Sequence, residues 1–282
     1  MLLAIDIGNS HIVLGVFKGQ ELLCEFRIAT QLHKTCYEYG NAIKNLLNDF
    51  KISPSKVKNT ILSSVVPALT PVFEEMSWTY FSAKTLLVTC RINTGIRILY
   101  PVPSQVGADR IVNAAAAFHL FGKESRPMII VDFGTATTFD LILENGDYWG
   151  GAIAPGLVVS SEALFSHTAK LPNVELIVPK NVIGEDTPSS IQSGLIFGHV
   201  GLVKEIVYRI SQEILTLSPK KHSASASPPP LVIATGGLSG LIAPLCEVIS
   251  IVRPALTLEG LMIIYQKSRL KGSKQRGTVR EE

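Results

Sequence analysis

The sequence has few cysteines, and the four present (Cys24, Cys36, Cys90 and Cys246) stand far apart with no CxxC pair. Such spacing offers neither a zinc site nor a disulfide framework, and free thiols in a reducing compartment are the expectation. Long hydrophobic runs are missing: none reaches the ~18 residues that a bilayer-crossing helix requires. The opening MLLAI carries no basic leader and meets Asp6 at once, so a signal peptide is not expected. Charge is scarce as well. With 17% charged against 46% hydrophobic residues, disorder is excluded as the main state and a large core can be buried. The two commonest nucleotide fingerprints, GxxxxGK[ST] and GxGxxG after a strand, are absent.

The net charge of +3 hints at nucleic acid until the charge is located. Residues 267–282 hold six basic side chains (Lys267, Arg269, Lys271, Lys274, Arg276, Arg280) against Glu281 and Glu282, a local +4 that leaves the rest of the chain at −1. A basic terminus on a near-neutral body is a solvated tail, and nucleic acid is not an expected partner.

What is present is alternation of strand-like and helix-like stretches, the pattern of an α/β protein. LLAIDIG, HIVLGVF and ELLCEFRIA read as three strands. Tyr39, Ile43, Leu46, Leu47 and Phe50 recur at helical spacing. TILSSVV reads as a buried strand stopped by Pro67, a helix covers 71–81, and LLVTC is a further strand. The alanine-rich stretch 108–121 predicts a tightly packed helix. The second half then repeats the opening, with MIIVDFG and TATTFDLIL as strands and a turn at Asn145-Gly146. IDIG at 5–8 aligns with VDFG at 131–134, an offset of 126 residues. Two similar lobes are therefore expected, 1–115 and 116–282. Within the second, 218–230 (SPKKHSASASPPP) reads as an exposed loop. The last helix is expected to run from Ala255 to about Leu270, with 271–282 as a frayed basic tail.

The chemistry concentrates in the two Asp-x-Gly turns. Gly8 and Gly134 allow sharp turns and close approach of a ligand. Asn9, Ser10, Thr135, Thr137 and Thr138 offer polar groups beside backbone amides that can hold phosphate oxygens. Asp6 and Asp132, at strand ends, can offer carboxylate oxygens to hard cations. Each turn alone is also compatible with an ordinary hairpin. The ATGG stretch at 234–237 reads either as flat space for an adenine or ribose, or as a plain strand-to-helix turn.

DIGNS, DFGTATT and the late TGG together resemble the acetate and sugar kinase, heat-shock chaperone and actin superfamily. Within it, SSVVP (63–67), YPVPSQVGADR (100–110), GGAIAPGL (150–157) and TPSSIQSGLIFG (187–198) are similar to the type III pantothenate kinases. The resemblance implies two ribonuclease H-like lobes, mixed sheets flanked by helices, with ATP in the cleft between them. It implies transfer of the γ-phosphoryl group of ATP to pantothenate, a cytoplasmic homodimer, magnesium, and a monovalent cation (potassium or ammonium). By the same resemblance Asp109 is the general base. Asp6, Ile7, Gly8, Asn9, Ser10, His11, Ile12, Val13 and Thr135 would contact ATP. Tyr100, Gly107, Ala108, Asp109, Arg110 and Thr187 would contact pantothenate. Asp132 would hold the monovalent cation and Asp6 the magnesium. Arg110 suits the acceptor's carboxylate, which a guanidinium can grip with two parallel bonds. Two alternatives stay open: a regulatory protein whose basic tail touches nucleic acid, and a related kinase acting on another acceptor.

Overall fold

The structure, a computed structural model, describes residues 1–217 and 228–277. In chain order its main elements are β1 (Leu2–Ile7), β2 (His11–Lys18), β3 (Glu21–Ala29), α1 (Cys36–Asp49), β4 (Asn59–Ser64), α2 (Thr70–Phe81), β5 (Thr85–Leu87), β6 (Arg97–Ile98) and α3 (Ala108–Phe121). There follow β7 (Met128–Phe133), β8 (Ala136–Ile142), β9 (Asp147–Pro155), α4 (Leu157–Ser166), α5 (Thr187–Leu217), β10 (Leu231–Thr235), α6 (Ser239–Ile242), β11 (Ile251–Val252) and α7 (Leu256–Gly277). The expected loop 218–230 falls largely on 218–227, outside the described residues; of the expected basic tail 271–282 only 278–282 lie outside them, and 271–277 are helical rather than frayed.

Two compact units form. One comprises Met1–His119 together with α7, the other Leu120–Ala255. The crossing after His119 lies close to the expected boundary at 115, but α7 belongs with the first unit, whereas the sequence reading gave 116–282 to one lobe. The helix also runs on to Gly277, beyond the end expected near Leu270.

In the first unit the sheet order is β3-β2-β1-β4-β5. The central β1 is antiparallel to β2 and parallel to β4, and β4 is parallel to β5. Leu2, Leu3, Ala4 and Ile5 are all buried, as a strand covered on both faces requires. β3 instead alternates, with Cys24 and Phe26 inward and Glu21, Glu25 and Arg27 outward. α1 starts at Thr35, whose hydroxyl accepts from the Glu38 amide while the Glu38 carboxylate accepts from the Thr35 amide. Its apolar stripe packs on α2 through Tyr39 and Phe73, rings 4.7 Å apart. On α3, Ala114–Ala117 are all buried, and the Thr257 hydroxyl of α7 donates to Asn113 Oδ1 at 2.8 Å. β4 stops at Ser64 rather than Val66 because the Ser64 hydroxyl bonds both the amide and the carbonyl of Val66 and turns the chain before Pro67.

The second unit carries β11-β10-β7-β8-β9 in that order. β7 is antiparallel to β8 and parallel to β10, β8 is antiparallel to β9, and β10 is parallel to β11. Read outward from the central strand, these five strands repeat the first sheet in order and direction. Its core gathers Ile129, Val131, Phe133 and Phe139 from the sheet with Ile196, Val203 and Val207 from α5. The duplication first visible as a four-residue echo is thus a duplication of topology, and the expected ribonuclease H-like mixed sheets with flanking helices are present.

Candidate active site

In the first unit, Asp6 lies at the end of β1, level with Val13 on β2 and Ser63 on β4. Beyond it the turn is tied off by its own backbone. The Gly8 amide donates to the His11 carbonyl at 3.0 Å. Thr30, just past β3, braces the turn: its hydroxyl donates to the Gly8 carbonyl at 2.7 Å and its amide to the Ser10 carbonyl at 3.1 Å. Nothing in the sequence pattern marked Thr30, because its partners lie beyond the intervening strands. Asn9, Ser10 and His11 are exposed, whereas Ile7 and Ile12 are buried as the last paired residues of the two strands. Ile7 and Ile12 therefore serve the core, and the Gly8 amide is spent within the turn. The groups left facing outward are the side chains of Asn9, Ser10 and His11, beside the half-buried Val13.

The stretch Gly107–Arg110 comes to this same end of the sheet. Val65 links the two. Its amide donates to the Ile7 carbonyl at 3.0 Å, and its Cγ1 lies 3.6 Å from where a Gly107 side chain would begin. Asp109 sits in the first turn of α3, half-buried, with Oδ1 accepting from the Arg110 amide at 2.7 Å. Burial raises the Asp109 carboxyl above its ordinary value, against the opposing pull of that amide and of the Arg110 charge. A β-carbon on Gly107 would come within 2.6 Å of Oδ1, so only glycine leaves the carboxylate where it is. Arg110 is buried. Tyr100, half-buried, stands in irregular chain between β6 and α3.

The second unit builds its own turn at the end of β7. Here the Gly134 amide donates to the Ala136 carbonyl at 3.1 Å. The first hairpin leaves four residues between its last paired positions, Ile7 and Ile12; the second leaves three, between Phe133 and Thr137. Thr135 is exposed at its tip. Gly156, from GGAIAPGL, donates its amide to the Thr135 carbonyl at 3.1 Å and lies against the Gly134 carbonyl too. Gly236 follows β10 with φ +88°, and the carboxylate of Asp132 and the backbone of Phe133 occupy the place of any side chain. The β-carbon direction of Gly236 is thus filled by β7. Asp132 Oδ1 lies against Gly236, and the carbonyls of Gly134 and Thr135 lie against Gly156; a carboxylate oxygen at a strand end is of the kind hard cations take. Among the described residues no group of three or more His, Cys, Asp or Glu could hold a metal ion.

Thr187 belongs to the second unit. It opens α5 next to Asp186, whose carboxylate accepts from the Ser189 amide at 2.7 Å and is held below its ordinary range chiefly by the Ser189 hydroxyl. Thr187 lines an open cavity of about 710 Å³ with Leu164, Leu171, Gly184, Ser190 and Leu195; neither Asp132 nor Thr135 is in its wall.

Two copies of one mixed sheet, each ending its central strand in an Asp-x-Gly turn, define a protein of the acetate and sugar kinase, heat-shock chaperone and actin superfamily. A solved structure described as a Baf family transcriptional activator from Campylobacter jejuni has a similar fold, with a TM-score of 0.56 at 19% identity, covering 95% of this chain and 99% of that one. The particular family follows from sequence. A model of the type III pantothenate kinases matches residues 2–209. The type III pantothenate kinase of Syntrophus aciditrophicus is 47% identical over 268 residues, 95% of this chain and 100% of that protein. That of Geotalea daltonii is 48% identical over 269 residues, 95% and 99% of the two chains. The chain belongs to the type III pantothenate kinase family. Among the described residues no helix is long and apolar enough to cross a membrane.

Proposed function

We propose that this chain transfers the γ-phosphoryl group of ATP to the primary hydroxyl of pantothenate, giving 4'-phosphopantothenate, the first step of coenzyme A biosynthesis. Family membership over most of the chain supports the substrate. The observation that carries the mechanism is Asp109, a half-buried carboxylate whose affinity for a proton is raised by burial. It accepts the hydroxyl proton as the oxygen attacks. Phosphoryl transfer is largely dissociative, so a weak base that orients the nucleophile suffices. Arg110, next in sequence, binds the pantothenate carboxylate, and Tyr100, Gly107, Ala108 and Thr187 complete the acceptor contacts. Asn9, Ser10, His11 and Val13 with Thr135 hold the nucleotide, the hydroxyls and amides replacing water around phosphate oxygens. Asp6 would hold magnesium, and Asp132 the monovalent cation; when bound, these ions neutralise phosphate charge. The family resemblance also supports a homodimer working in the cytoplasm.

A coupled ADP-release assay over a panel of hydroxyl and carboxylate acceptors, with potassium exchanged for sodium, tests this reading. Pantothenate is expected to be turned over with the highest kcat/KM, and faster with potassium. Preference for another acceptor by about tenfold or more would overturn the substrate assignment.

A further inference from the structure

His199, on α5, is buried inside the second unit, 6% exposed, and takes no part in the contacts assigned above. Its Nε2 is hydrogen-bonded to the hydroxyl of Thr137, itself 1% exposed, at 2.9 Å. Its ring also lies against Phe133, centroids 5.9 Å apart and planes at 53°. Phe133 and Thr137 are the last paired residues of β7 and β8, the two posts between which the 134–136 turn hangs. One side chain on a neighbouring helix thus touches both posts. The ring is desolvated, which lowers its proton affinity. A buried hydroxyl left without its partner would be costly, so this bond resists displacement of β8 from α5.

We propose that His199 is a positioning residue for the nucleotide: by holding Phe133 and Thr137 it sets the conformation of the turn that presents Thr135 and the Gly134 carbonyl. The proposal rests on the reading of that turn as the ATP contact of the kinase. Its effect is specific in direction. Thr187, at the start of α5, is about twelve residues away, roughly 18 Å along the helix. Loss of the His199 bond therefore loosens ATP and leaves the Thr187 contact with acceptor unchanged.

The test uses the full-length chain with His199→Phe, Thr137→Val, the double variant and His199→Gln. ATP binding is measured by calorimetric titration without acceptor, and steady-state KM values are measured for each substrate. Both single variants and the double are expected to raise the Kd and KM for ATP by the same factor, about 3- to 10-fold, because all remove one bond. The KM for acceptor stays within about twofold of wild type. His199→Gln, whose amide can meet the Thr137 hydroxyl, recovers most of the ATP affinity. Thermal melts identify any variant that fails to fold, and the glutamine and valine variants keep the comparison intact if the phenylalanine variant does. An ATP Kd within about twofold of wild type in folded His199→Phe and Thr137→Val overturns the proposal, as does a rise in both KM values together. If wild type binds ATP but pantothenate is not its acceptor, the substrate reading fails while this comparison stands. A wild-type chain that binds no ATP overturns both.

Discussion

Replacing Asp109 with asparagine removes a charge and a proton acceptor while changing almost nothing else. The carboxamide oxygen introduced by Asp109→Asn can still accept from the Arg110 amide, which now meets Asp109 Oδ1 at 2.7 Å, and the side chain keeps its length beside Gly107. The loss is therefore confined to the chemistry. A general base typically contributes ~10²–10⁴ in rate. Because the transition state of phosphoryl transfer is loose and needs little basicity, the lower part of that range is expected, about 100- to 1,000-fold in kcat. That is about 2.7–4 kcal/mol of transition-state stabilisation. The Kd for ATP should stay within about threefold, since Asp109 holds no part of the Asp-x-Gly turns. Stability should move the other way. Burial raises the Asp109 carboxyl in the folded chain, so the folded state binds its proton more tightly than the unfolded state does. Stability associated with this group is complete below the unfolded value, ~3.9, and declines as pH rises through the raised folded value. At neutral pH the native carboxylate is a net burden, and the asparagine variant should melt at the same temperature or higher. The same raised value places the acidic limb of the kcat/KM profile for pantothenate above that of an ordinary carboxylate, with activity rising as Asp109 deprotonates. Coupled ADP release, titration of ATP and thermal melts at neutral pH read all three quantities. A variant that keeps more than about a tenth of wild-type kcat would refute Asp109 as the base; a large fall in ATP affinity would show the site had been disturbed instead.

Gly107→Ala should lower kcat at least about tenfold with the melting temperature little changed, because its β-carbon would displace Asp109 Oδ1 from 2.6 Å away; unchanged turnover would mean the position of the carboxylate is unimportant. Asp132→Asn should raise the potassium concentration for half-maximal activity at least about tenfold, read in potassium titrations at constant ionic strength; an unaltered potassium response would place the cation elsewhere. Gly236→Ala combines φ +88° with a side chain pressed on Asp132 and Phe133. It should cost at least about 1–2 kcal/mol in urea unfolding, and a neutral result would contradict the close approach of β10 to β7. Arg110→Lys, which loses two-pronged recognition, should raise the KM for pantothenate about tenfold while leaving that for ATP alone; steady-state kinetics with each substrate varied in turn read the difference.

The strands of the two hairpins were legible because their signals are local: β1 and β7 are short apolar runs ending in Asp-x-Gly, and a turn must follow. The helix 108–121 was legible to the residue, since an alanine-rich stretch after Gly107 favours helix over every other state. Sheet order was not legible, since β1 beside β4 and β7 beside β10 join residues 57 and 103 apart in sequence, and periodicity says which face is apolar but not what it meets. The same limit hid the allegiance of α7, an apolar helix that either sheet could have covered. In the proposed site, the two Asp-x-Gly turns pointed to Asp6 and Asp132, and the family resemblance to Asp109 and Thr135. It could not reveal that Ile7 and Ile12 are spent on the core, that Thr30 braces the first turn, or that Gly236 is filled by Asp132. Those facts depend on side chains meeting across the fold.

The placement of α7 has a consequence for how the chain is made. Leu256, Leu258, Leu261 and Ile264 are buried, and α7 packs on β1, β2 and β4, strands synthesised long before it. Those strands must wait for a segment synthesised only after the whole of Leu120–Ala255, which has all of its own elements beforehand. The inserted unit is thus free to fold first during translation, and its host only once α7 has been made. A premature stop near residue 255 would spare the middle of the protein and abandon its beginning.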